Sequence, residues 1–315
     1  MSKNNIVNLI PDRILYKYFR FHPNWYSKES LKTEIEISKK LILEQENLYH
    51  FLYGENSFKL TGYVNLLIKK NFLVSTYHQT PFFFEKQRSV FSFIRTLDAV
   101  ILISSNQVPF FESIIDARKI NVIPHGVDTY FFHPVLNKPE HNNKRSILTV
   151  GSNYRDNETH LSIIKALNKT PIAKNLVFKI IGDANASIIF SGIDNVHYMS
   201  GITDQAMLNF YQNSDILLMP LKDATANNAI LEGMACGLPI VTTDVGGIRD
   251  YLDETSAIFL PPNEVDGAVE IIRNILNDSS DARIMSMNAR KIVEEKFSWE
   301  IIASQTSNLY RKLSA

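Results

Sequence analysis

DATANNAILEGMACGLPIVTTDVGG, residues 223–247, decides the reading of this chain. A loop of small polar residues leads into a helix that starts near Asn227. The helix stops at Gly237-Leu238-Pro239, because glycine suits the position just past a helix and proline cannot continue one. The β-branched run PIVTT then reads as a strand, and Gly246-Gly247 as a loop that lets backbone come close to a ligand. With the apolar run DILLMPL (215–221) ahead of it, the segment is strand, loop, helix, strand, glycine loop. That alternation builds a parallel sheet covered on both faces. Ligands of such sheets bind outside the carboxyl ends of the strands, which is where this helix begins. Its first N–H groups, around Asn227, Asn228 and Ala229, have no acceptor within the helix and suit a diphosphate. Asn228 and Glu232 are four apart and share a helix face. A carboxylate in so apolar a helix is costly unless paired. Two ribose hydroxyls would pair Glu232, as would a structural arginine.

The same alternation extends in both directions. Upstream, NLYHFLY (47–53), NFLVSTYH (71–78), AVILISS (99–105) and INVIPHG (120–126) read as short buried strands. SKESLKTEIEISKKLIL (27–43) reads as a helix capped by its leading serine. HPVLNKPEHNNKRS (133–146) is polar and rich in Pro and Asn, as a linker should be. The pattern restarts with SILTVG (146–151), LVFKIIGD (176–183) and NVHYMSG (195–201), and continues past the central segment to AIFLPP (257–262). Helices are expected over 203–214, 264–278 and 297–313. The expected organisation is a first Rossmann-like domain over 1–132, a linker over 133–146, a second over 147–296, and a closing helix over 297–315 that packs back on the first domain.

Bulk properties agree with two domains, since 315 residues exceed what one hydrophobic core usually serves. Lys+Arg and Asp+Glu balance at 33 each, so no global charge draws the chain to nucleic acid. Residues 1–130 carry 16 basic against 12 acidic side chains, a mild excess that leaves open contact with an anionic membrane surface. Cys236 is the only cysteine, which excludes intramolecular disulfides and multi-cysteine metal sites. In its apolar run it reads as a buried filler. No apolar stretch approaches the roughly 18 residues of a membrane span, and MSKNNIVNLIPDR lacks the apolar core of a signal peptide. A cytoplasmic protein, soluble or peripheral at the inner face of a membrane, is the expectation. The dehydrogenase string GxGxxG, the phosphate-binding P-loop, HExxH and Asp-x-Asp are all absent.

Residues 223–247 look like the signature of the large family 4 of retaining glycosyltransferases, which have the GT-B fold. That signature is a Glu, seven residues, a second Glu, a small-residue helix, a Pro-Val strand and a Gly-Gly loop. VIPHGVDTYFFHP (122–134) resembles the family's interdomain hinge, with His125 in place of its usual Asn. ILTVGSNYRD (147–156) resembles its phosphate loop, and VHYMSGITDQAMLNFYQNSDILLMP (196–220) its base-binding loop, helix and strand. The resemblance runs over 95–313 and implies two Rossmann-like domains with parallel sheets facing across a cleft. It implies metal-independent hexosyl transfer from a nucleotide-diphosphate sugar to a saccharide or lipid-linked acceptor, in polysaccharide or glycoconjugate synthesis, with no cofactor.

The resemblance also implies roles for residues. Glu232 would hold the ribose, Gly201 and Ile202 the base, and Asn227, Asn228 and Ala229 the phosphates and sugar, with Gly151 in the phosphate loop. The Arg and Lys usual in that loop are not in their usual places, which leaves Arg155 as the nearby cation for the phosphates, or else as a surface arginine. His78, in STYHQTP, would reach the donor sugar beside the transferred carbon, although a histidine at a strand end is often simply packed. The family's first Glu falls on Ala224, which leaves Asp223 and Asn227 as candidates for its task. Asn227 is favoured because a helix start fixes it. Because His78 and Glu232 lie in different halves, the domains are expected to close around the donor. Two other readings remain: a non-catalytic binding module for sugar nucleotides, and a related GT-B enzyme such as a phosphorylase or epimerase. The aromatic run PFFFEK (81–86) reads as a packing cluster, or else as a greasy edge toward a lipid acceptor.

Overall fold

The computed structural model describes residues 26–68, 70–86, 88–135, 144–277 and 280–315. IVNLIP (6–11), which the sequence offers as a reduced first strand, and most of the expected linker lie outside the described residues. Among the described residues there are ten strands, and each coincides with one of the apolar runs. They form two all-parallel sheets, one in each of two compact units. The first unit runs to Pro124 and takes in Ser304–Ala315; the second comprises His125–Ala303.

This division falls earlier than the boundary expected at 132, for a physical reason. The segment after Pro124 is tied to the second unit by hydrogen bonds. His125 N–H donates to the Tyr251 hydroxyl (2.9 Å) and Val127 N–H to the Phe297 carbonyl (2.9 Å). The Arg290 guanidinium donates to the carbonyls of Thr129 (3.1 Å) and Phe132 (2.8 Å). The last helix, Trp299–Ser314, starts in the second unit and ends in the first.

In the first unit the strands β1 (Leu48–Phe51), β2 (Phe72–Tyr77), β3 (Ala99–Leu102) and β4 (Ile120–Val122) pair in sequence order. Helix Lys28–Leu43 is capped by Ser27, whose hydroxyl accepts from Ser30 N–H, while Ser30 reciprocates. Within PFFFEK, Phe84 is fully buried against Phe91, Phe110 and Phe111 at 5.1–5.3 Å, whereas Phe82 is 61% exposed. The run therefore serves packing chiefly through Phe84.

The second sheet has the order β10-β9-β8-β5-β6-β7. Its strands are β5 (Arg145–Val150), β6 (Leu176–Ile181), β7 (Val196–Met199), β8 (Ile216–Met219), β9 (Ile240–Thr243) and β10 (Ile258–Leu260). Because successive side chains alternate across a sheet, Leu148 and Leu217 join one core and Ile147, Ile216 and Leu218 the other. Helices cover both faces, so the central strands β8 and β9 are buried along their whole length. The chain leaves β5 toward β6 and β7, then returns to the other side of β5 as β8. The strand order therefore reverses between β5 and β8, the position where open α/β sheets leave a crevice for ligands.

Candidate functional site

The loops that follow β5 and β8 meet at that crevice. Beyond β8 the chain pairs with the β5 loop: Asp156 N–H donates to the Pro220 carbonyl and Lys222 N–H to the Tyr154 carbonyl, both at 2.9 Å. Tyr154 holds the left-handed backbone at φ +57°, a conformation unusual for a bulky residue and common where loops serve ligands. Gly151 at φ +90° opens the loop, and a side chain there would press into the Arg155 guanidinium at 2.5 Å.

Arg155 is spent on its surroundings. Its Nε donates to the Val150 carbonyl (2.8 Å), its Nη1 to the Asn153 carbonyl (2.9 Å), and its Nη2 to the Val150 carbonyl and, at 3.5 Å, to Asn227 Oδ1. Burial pulls it down to about 10, so it stays cationic at neutral pH. It thus fixes a positive charge behind the helix start and shapes the loop. His160, below it, is held neutral: burial and then the Arg155 charge lower it to about 3.

Helix Asn228–Ala235 starts where the sequence places it. Asn227 is its cap, with Oδ1 accepting from Ile230 N–H at 3.4 Å. Asn227 is buried and Asn228 exposed. The N–H groups of Asn228 and Ala229 stand in the first turn, where the helix supplies no acceptor. One turn on, Glu232 Oε2 accepts from the Tyr211 hydroxyl at 2.7 Å. Burial pushes the Glu232 carboxyl up to about 7; the Tyr211 hydrogen bond opposes the rise and the Asp204 charge adds to it. Its pairing is with a tyrosine, and no arginine hydrogen bond to it is found among the described residues.

The glycine loop after β9 closes the site from behind. Gly247 N–H donates to the Ala224 carbonyl at 2.8 Å. Gly246, at φ +57°, lies so close that a Cβ would stand 2.1 Å from the Ala224 carbonyl oxygen and 2.7 Å from Asp223 Oδ1. Asp223 turns its Oδ1 back onto Ala224 N–H at 2.8 Å. The Ala224 methyl is buried (3% exposed), so this position packs the loop.

Gly151, Arg155, Asp223, Asn227, Asn228, Ala229 and Glu232 are thus gathered at the carboxyl ends of β5 and β8. Gly201 (φ +63°) and the half-buried Ile202 follow the edge strand β7 at the same end of the sheet. His78 belongs to the first unit, after β2. It stacks on Tyr53 with ring centroids 4.5 Å apart, and its N–H donates to Glu55 Oε1 at 2.9 Å. Sequence reading missed Tyr211 and the exposed Lys222, whose Nζ lies 4.0 Å from Asp156 Oδ1. Lys222 was legible as a cation next to Asp223; nothing local pointed to Tyr211. Among the described residues no three His, Cys, Asp or Glu side chains gather as a candidate metal site. No helix among them is long and apolar enough to cross a membrane.

Residues 144–278 match the model of the family described as Glycosyl transferases group 1. The MMP alpha-(1->4)-mannosyltransferase of Mycolicibacterium hassiacum is 24% identical over 210 residues, covering 64% of this chain and 50% of that protein. The chain spans about half the length of the curated relatives it matches first. Sucrose-phosphate synthase from Thermosynechococcus elongatus superposes with a TM-score of 0.73 at 20% identity, over 96% of this chain and 80% of that one. Anabaena HepE, solved with UDP and glucose, gives 0.70 at 16% identity, over 88% and 80%. The structural likeness gives the GT-B fold, and residues 144–278 are similar to group 1 glycosyltransferases.

Proposed function

We propose that this chain transfers a sugar from a nucleotide-diphosphate donor to an acceptor hydroxyl, with retention of configuration and without a metal. The observation that carries the reading is the helix start at the strand-order switch. There the first-turn N–H groups of Asn228 and Ala229 stand one turn from a half-buried carboxylate, Glu232, held by a single tyrosine hydroxyl. Donors and dipole would take the diphosphate. The Arg155 charge behind them and Lys222 beside them would offset its charge as it leaves. Glu232 would accept from the ribose hydroxyls, and Gly201 and Ile202 would pass the base. HepE, of the same fold, binds UDP and glucose, which supports a nucleotide sugar as the ligand class. A saccharide or lipid-linked acceptor, and a role in polysaccharide or glycoconjugate synthesis, belong to the same proposal.

A thermal-shift panel of nucleoside diphosphates and their sugars tests it. A ligand at about 100 times its dissociation constant adds about 2.7 kcal/mol, and one base should stand out. No shift with any of them would remove the reading. The buried Ala224 favours a second reading, a binding module without turnover, because the position of the family's first Glu offers no polar atom. That reading holds if donor binds and neither transfer nor hydrolysis follows.

Two further outcomes are expected. Transfer should survive excess EDTA, since backbone donors, Arg155 and Lys222 would carry the diphosphate; loss with EDTA and rescue by Mn²⁺ would contradict this. At saturating donor, Asn227→Ala should slow transfer more than Asp223→Ala. Asn227 sits between the helix start and Arg155, whereas the Asp223 Oδ1 is turned onto its own loop. Asn227→Ala should also cost about 1 kcal/mol of stability through the lost cap. A greater loss of transfer in Asp223→Ala would assign the role to that carboxylate.

A further inference from the structure

Among the described residues the first unit buries two carboxylates, Glu34 and Glu55, and they differ sharply. Glu34 is fully satisfied: it accepts from the N–H groups of Lys59, Leu60 and Thr61 at 2.8–2.9 Å, from the Thr61 hydroxyl at 2.8 Å, and from the Tyr26 hydroxyl. Five donors explain why a carboxylate can sit there, and the result is a staple for the helix Thr61–Ile68. Glu55 has no such explanation. Its side chain is 2% exposed, its Oε1 accepts from His78 N–H at 2.9 Å, and its Oε2 is buried with no hydrogen-bond partner. A carboxylate left half satisfied in the interior is a cost that packing alone does not repay.

The neighbourhood shows what the cost could secure. Gly54, just before Glu55, lies so close to β2 that a Cβ would stand 2.1 Å from the Ser75 hydroxyl and 2.6 Å from the Tyr77 ring. The short helix Gly54–Ser57 after β1 is thereby pressed onto the second half of β2, beyond which His78 emerges. Glu55 Oε1 is 3.9 Å from His78 Nδ1, and Tyr53 stacks on the ring at an interplanar angle of 25°. His50, on β1, is bonded to the Thr76 hydroxyl (2.7 Å) and to the Tyr310 hydroxyl; burial, then the nearby His78, lowers it to about 4, so it stays neutral. Tyr77, on β2, is raised well above its usual range by burial and adds no charge. Glu55 thus holds the main-chain N–H of His78 and brings a carboxylate close to its ring.

We propose that Glu55 is a positioning residue for His78: with Tyr53 it fixes the main chain and the ring plane of His78, so that the imidazole is preorganised for its part in transfer. The role rests on the transferase reading; the positioning itself does not. Glu55→Gln keeps a carbonyl oxygen for the His78 N–H, whereas Glu55→Ala removes it.

Amide and ring NMR on the full chain tests the positioning. In Glu55→Ala the His78 amide should exchange at least tenfold faster, and the Tyr53–His78 ring cross-peak should vanish; Glu55→Gln should keep both. Unchanged exchange and cross-peak in Glu55→Ala would overturn the positioning. Should Glu55→Ala not fold, a Glu55→Gln protein whose His78 amide exchanges as freely as an unbonded loop amide overturns it equally. Turnover tests the consequence. Glu55→Ala should lower kcat by about tenfold with nucleoside diphosphate affinity unchanged, Glu55→Gln should restore most of it, and in a His78→Ala background Glu55→Ala should add nothing. Additive losses would make Glu55 structural only. A wild type that binds donor but never turns over would remove the transferase reading and leave the NMR result standing.

Discussion

Glu232→Ala is expected to weaken nucleoside diphosphate binding by about ten- to a hundredfold. Hydrogen bonds to a charged group are worth about 1.5–3 kcal/mol each, and every 1.4 kcal/mol is about a factor of ten. Calorimetry on the folded variant reads the change; an unchanged affinity would take Glu232 out of the site. The raised carboxyl adds a pH signature. Folded, it titrates at about 7; unfolded, it returns to about 4.3. Between those values the folded chain holds a proton that the unfolded chain has released, so this group costs stability progressively as pH rises from about 4.3 to about 7. Glu232→Gln has no proton to lose. It should be more stable than wild type at pH 8 and lose that advantage near pH 4, as read by thermal melts. Ligand affinity should run the other way, since a carboxylate accepting ribose hydroxyls is the charged form, and wild-type binding should tighten as pH rises through about 7. A carboxylate that lowers stability and raises affinity is the pattern of a residue kept for a ligand.

Gly246→Ala should produce the largest combined loss of stability and affinity. The left-handed backbone alone costs an alanine about 1–2 kcal/mol. The added Cβ would also stand 2.1 Å from a backbone oxygen, that of Ala224, which can yield only if the loop 223–227 moves. That loop sets where the helix starts, so the donors of Asn228 and Ala229 would move with it. A fall in melting temperature with at least tenfold weaker nucleotide binding is expected. Gly192→Ala is the control, because Gly192 has φ +77° with open space around the added Cβ. It should show the strain without the affinity loss. Equal effects of the two substitutions would mean that the Gly246 contact does not shape the site.

What the sequence revealed and what it hid follow from the range of the interactions involved. The ten strands were legible because each is a short apolar run between turn residues, as AVIL and ILLM show. The helix Ser280–Lys296 was not, because it buries Ala282, Ser286, Ala289 and Val293, too small and polar a set to write an apolar stripe. The helix start from Asn227 to Glu232 was legible because its cap, first-turn donors and carboxylate are consecutive in the chain. Tyr211 as the partner of Glu232, Gly246 against Ala224, and Glu55 beneath His78 all depend on how separate loops meet at the end of a sheet. The division of units after Pro124 was hidden for the same reason. The polar composition of 133–146 marked a linker, but the hydrogen bonds of Arg290 and Tyr251 decide which unit holds the segment before it.

The start of helix Asn228–Ala235 is proposed to receive the diphosphate of a nucleotide sugar. Residue-resolved amide exchange, with and without the best ligand of the thermal panel, tests it most directly. At saturation the amides of Asn228 and Ala229 should be protected by tenfold or more, with smaller changes at Gly201 and Ile202. Saturation without any change at Asn228 and Ala229, or protection confined to the first unit, would contradict it.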